Sequence, residues 1–161
     1  MDSLVRRIVF GMAAAALALS MSSVVAQSKD PRMGNWKLNL EKSTYSPGPA
    51  PKSLTLMFEP AGKGVHVTSD QVNADGSRTA TEFTANYDGK DYPLKGSRIA
   101  DTVSLKRVNA LTTIRTDKKD GKVVYTIKAV TSKDGKRFTA DVKGKTPKGE
   151  PSKNHVVFER P

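Results

Sequence analysis

Residues 120–143, DGKVVYTIKAVTSKDGKRFTADVK, carry one pattern twice. Val123, Tyr125, Ile127 and Ala129 alternate with Val124, Thr126, Lys128 and Val130. Phe138, Ala140 and Val142 then alternate with Arg137, Thr139, Asp141 and Lys143. A period of two puts successive side chains on opposite faces, so each segment predicts a strand with one face on a core. Asp120-Gly121 and Asp134-Gly135 punctuate the stretch, and Asp-Gly suits the positive-φ positions of tight hairpins. The unit is a turn and a strand, repeated.

The rest of the chain follows the same grammar. Trp36, Leu38 and Leu40 share parity and predict a first strand with the single tryptophan facing inward. Residues 42–53, KSTYSPGPAPKS, carry Pro47, Gly48, Pro49 and Pro51. Proline has no amide to donate, so this predicts an extended covering loop, with Tyr45 against one end of the sheet. Leu54, Leu56 and Phe58 mark a second strand. Residues 65–72 make a third, whose core face is ambiguous because Val65 and Val67 oppose Val72. Further strands are expected at 79–87, at 92–95 (an edge, because of Pro93), at 101–107, at 111–116 and at 153–159. Residues 27–33 read as a polar, frayed arm. No helical period occurs beyond residue 27. Eight to ten short strands joined by successive turns predict an all-β, antiparallel up-and-down meander that closes into a barrel.

The first residues differ in kind. Arg6 and Arg7 precede an apolar run of 12 residues, 8–19, and Val24 and Ala26 are small residues placed for a cut. This predicts a secretory signal peptide over residues 1–26. The run falls short of the ~20 apolar residues of a membrane span. Residues 27–161 are then expected to be one exported domain, periplasmic or secreted, monomeric and with no transmembrane segment. The chain of 161 residues has no cysteine, so such a domain relies on its core and ladder hydrogen bonds.

Charge changes the picture in one half. Residues 27–103 carry 10 Lys and Arg against 9 Asp and Glu; residues 104–161 carry 15 against 6. The second half therefore predicts attraction to an anionic envelope polymer or lipid. Lysine outnumbers arginine there and no aromatics interleave, so specific nucleic-acid binding is not expected.

The candidate chemistry is binding rather than catalysis. With no cysteine, two histidines and no Gly-x-Ser-x-Gly elbow, no nucleophile and base are paired by motif. His66 and His155 are either two metal ligands on adjacent strands or two surface residues. Asp70, Glu82 and Asp101 are carboxylates that no pattern selects. The expectation is a non-catalytic module without cofactor or metal. Alternation with Val103 and Leu105 turns Arg107 inward, and Leu111 and Thr113 do the same for Arg115. Either guanidinium forks to a ligand carboxylate inside the barrel, or both sit at strand ends and reach water. Trp36, Tyr87 and Tyr125 complete the candidate ligand-binding set, for a small apolar or amphipathic molecule. In so small a barrel, side chains either fill the interior or leave a cavity.

Gly34-x-Trp36-x-Leu38 resembles the Gly-x-Trp opening strand of the lipocalin and fatty-acid-binding superfamily, the calycins. The Asp-Gly-Lys turns and the closing strand around His155 and Phe158 resemble the same group. Residues 34–39, Lys42-Ser43, 47–51 and 87–93 are also similar to a set of small exported bacterial proteins. The first resemblance implies a calycin-like barrel with an interior site. The chain departs from it in having no helical pair after strand one, no disulfide and no C-terminal helix, and no ligand class comes with it.

Overall fold

A computed structural model describes residues 30–161, which form ten strands and no helix. The signal-peptide reading of residues 1–26 lies outside them. The strands are β1 Gly34–Thr44, β2 Ser53–Ala61, β3 Gly64–Val72, β4 Arg78–Asn86 and β5 Tyr92–Pro93, then β6 Thr102–Arg107, β7 Thr112–Lys119, β8 Lys122–Thr131, β9 Arg137–Lys145 and β10 Pro151–Glu159. Each full-length strand pairs antiparallel with a strand adjacent in sequence, and β1 also pairs with β10. Between β4 and β5 the ladder thins to one bridge, in which Glu82 and Lys95 exchange backbone hydrogen bonds of 3.1 and 2.9 Å. The result is a nearly closed meander barrel, compatible with a calycin-like fold.

The turn chemistry explains the order. Asp120 (φ 50°) and Gly121 (φ 74°) both occupy the left-handed region, as a two-residue hairpin between Lys119 and Lys122 requires. At the β3–β4 turn, the Asp75 carboxylate accepts from the Ser77 amide at 2.8 Å.

Alternation sets the core. Val65, Val67, Val103 and Leu105 turn inward and are buried, which settles the face of β3: His66 and Thr68 point out. At the end where β1 begins and β10 finishes (the near end), Phe138 sits among three rings. Its centroid lies 5.6 Å from Trp36, 5.8 Å from Phe58 and 5.5 Å from Phe158. Trp36 is 1% exposed. Its indole donates to the Arg32 carbonyl at 2.7 Å, and the Arg160 guanidinium lies 3.9 Å over its ring. Arg160 also donates to the carbonyls of Pro31, Asn35 and Gly135, tying the segment before β1 to the end of β10.

Three expectations need correction. Residues 30–33 are no frayed arm: they plug the near end, and Arg32 is 2% exposed. Leu40 does not continue the inward row of Trp36 and Leu38. It is 42% exposed, because the β1–β10 register shifts between Asn39 and Thr44 and breaks the alternation. That irregular stretch also carries β1 to Thr44, so the proline-rich loop starts at Tyr45 instead of Lys42.

Candidate ligand cavity

Inward residues of eight strands enclose a cavity of about 260 Å³. Branched aliphatics line its wall, among them Leu54, Leu56, Ile127, Val142 and Val156. Phe83, Phe138 and Phe158 supply flat surface towards the near end. Small inward residues make the room: Ala129 and Ala140 face each other across β8 and β9 where larger side chains would meet. The interior is therefore not filled by side chains.

A few polar groups interrupt the apolar lining. Tyr45, Gln71 and Asn154 stand at the far end, where β1 finishes and β10 starts. The buried Tyr45 hydroxyl has no protein partner, and burial pushes its pKa up to about 12, so it stays a neutral donor. On β7, Arg115 turns inward and lies 4.8 Å over the Phe83 ring. Its Nε and Nη2 donate to the two oxygens of Asp117 at 2.6 and 2.9 Å. Asp117 is two residues along the same strand and thus on the same face, 7% exposed, and it neutralises Arg115 bidentately.

Arg32 enters the cavity at the near end. Its Nη1 donates to the Thr113 hydroxyl, while its Nε and Nη2 are buried with no acceptor in the protein. Burial lowers its pKa, but a guanidinium keeps its proton at any physiological pH. Each buried N–H without a partner costs about 1–3 kcal/mol. The Tyr87 hydroxyl beside it is likewise buried and unpartnered, and burial is the main cause of its raised pKa. Outside them, Asp30 accepts from Arg107 Nη2 at 2.8 Å, and Arg107 lies 4.0 Å over the Tyr87 ring.

Of the five residues singled out from the sequence, Tyr87 and Arg115 line the cavity. Trp36 lies beyond the phenylalanines, against Arg160. Arg107 ends its strand and latches the near-end plug through Asp30 instead of entering the chamber. Tyr125 faces inward nearer the far end but packs over Gly144, where an added Cβ would meet its ring at 2.5 Å. His66 and His155 are not on adjacent strands: β2 and β1 separate β3 from β10. Each is satisfied locally, His66 by Thr84 at 2.9 Å and His155 by Asp141 at 2.7 Å.

Sequence reasoning missed Arg32 and Asp117. Asp117 carried a usable signal, since it shares the parity of Arg115 two residues away. Arg32 precedes the first strand, where no periodicity reports burial.

The fold and chamber define a class: a nearly closed antiparallel β-barrel with a small, mostly apolar cavity and an arginine at each of two levels. Among known proteins, no family and no curated sequence matches this chain. Among the described residues, no helix is long and apolar enough to cross a membrane.

Proposed function

We propose that this protein is an exported, non-catalytic binding module of lipocalin-like type that holds a small apolar or amphipathic molecule inside its barrel. The cavity carries this reading. Its apolar wall is interrupted by few polar groups, the general build of small-molecule sites. Its volume of about 260 Å³ lies under the ~300–1,000 Å³ typical for drug-sized ligands, so the molecule is compact. Native mass spectrometry of protein purified gently from its exported compartment tests the reading. The expected result is a retained mass that survives high salt, because burial of apolar surface is not screened. Protein that is empty and takes up no small apolar molecule would overturn it.

A second reading has its own observation. Lys143 and Lys153 are exposed and directly opposite each other on β9 and β10, and Lys145 and Lys148 follow at the same end. Among the described residues, none of the four has a carboxylate within ion-pair distance. Like charges facing across a ladder are destabilising, so an anionic envelope polymer or lipid headgroup would relieve them. The expected result is retention on heparin with elution by salt, and earlier elution of the K143E/K153E double variant. Equal elution of variant and parent would remove this surface from consideration.

A further inference from the structure

We propose that Arg32 is the head-group site of the cavity, and that the ligand is a compact monocarboxylate held with its acid end towards the plug. This rests on the binding reading and adds to it the ligand's chemistry and orientation.

The geometry of the two interior arginines leads there. Arg115 shows how this chain satisfies a guanidinium: its Nε–Nη2 edge meets both oxygens of Asp117. Arg32 lines the chamber, and its corresponding edge, Nε and Nη2, is buried there with no protein acceptor to meet it. Its third nitrogen, Nη1, is anchored on Thr113, which fixes the plane of the fork. Two parallel N–H donors match a planar carboxylate and nothing monodentate equally well. The Tyr87 hydroxyl lines the same end and adds a donor without a partner.

Charge counting agrees. The ionised groups in and behind the chamber are Arg32, Arg107 and Arg115 against Asp30 and Asp117. Asp117 is committed to Arg115, and Asp30 to Arg107 and to the Arg32 backbone amide at 2.9 Å. One buried positive charge is left over, and it belongs to Arg32. A single negative charge balances it; a dianion would not. Apart from Arg115, which Asp117 neutralises, the remaining lining past this end is aliphatic and aromatic up to Tyr45, Gln71 and Asn154, so the ligand's body is apolar.

The test is calorimetric titration of the protein with octanoate, 1-octanol and octylamine, which share a tail and differ at the head. Octanoate is expected to bind at least about tenfold more tightly than octanol, as charge-assisted bidentate bonds imply, and octylamine not at all. In the R32M variant the octanoate preference should vanish while octanol binding persists. In R32K, which keeps the charge and loses the fork, it should fall part of the way. Circular dichroism and Trp36 fluorescence report whether each variant folds. If R32M does not fold, the wild-type ratio and R32K still decide. Equal binding of octanoate and octanol overturns the head-group assignment and leaves the binding module standing. An octanoate preference that survives in R32M and R32K overturns it in favour of another cation. No binding of any of the three overturns this proposal and counts against the binding reading beneath it.

Discussion

Phe138→Ala is expected to lower unfolding stability by about 3–5 kcal/mol, the range for truncating a buried aromatic. Phe138 is the ring that Trp36, Phe58 and Phe158 share, so its removal leaves three partners with a common void. The near end has little freedom to collapse into that void. Trp36 is fixed by its bond to the Arg32 carbonyl and by Arg160 above it, and Phe158 is opposite Phe138 in the β9–β10 ladder. Phe138→Leu keeps most of the volume and should cost markedly less. Urea denaturation checks both: the midpoint should fall in the order wild type, F138L, F138A, with the slope unchanged. A loss below about 1 kcal/mol in F138A would place it among ordinary surface changes and contradict the shared-ring account.

The second large effect is expected at the gap in the barrel. Gly96 has φ 77° and lies against β4, where an added Cβ would fall 1.9 Å from the Ala80 carbonyl oxygen. Gly96→Val therefore combines a left-handed backbone, disfavoured by about 1–3 kcal/mol for a side-chain-bearing residue, with a clash against rigid main chain. The two hydrogen bonds between Glu82 and Lys95 are next to this contact and should break with it. Hydrogen exchange gives the check. The amides of Glu82 and Lys95 should lose protection in G96V, while those in the middle of β8 and β9 keep theirs. Uniform loss across the sheet would mean that the gap is not a separable unit.

Much of this fold was legible residue by residue. The Tyr125–Ile127–Ala129 row and the Phe138–Ala140–Val142 row stand as read, because period-two alternation is a local property that any half-buried strand must show. Val123, expected in the first row, is instead 60% exposed, because the β7–β8 register shifts between Asp117 and Lys118. Asp120-Gly121 placed its hairpin to the residue, since few pairs tolerate two successive positive φ values. The other features that alternation missed have a common cause. The Leu40 exposure arises from a bulge against β10, the partner of Arg107 lies 77 positions upstream, and the plug is held by Arg160 from the other end of the chain. Each is a contact between segments far apart in sequence, and no local pattern records it. The candidate site divides along the same line. Tyr87 and Arg115 could be found by counting along their strands; Arg32 belongs to no strand.

The pairing of β1 with β10 also bears on how the barrel comes together. Every other full ladder joins neighbours across a turn or short loop, so its chain-closure entropy is small. The seam instead joins Lys37 to Glu159, and closing a loop of that length costs about 4 kcal/mol by the (3/2)RT ln n scaling. That cost falls on one ladder, and it is recovered only when Trp36, Phe138 and Phe158 meet and Arg160 reaches the carbonyl of Pro31. Until then β1 and β10 are two open edges, each able to accept a strand from another molecule. The near-end aromatics and the terminal arginine thus serve as the clasp that keeps this ring from becoming a chain of exchanged strands.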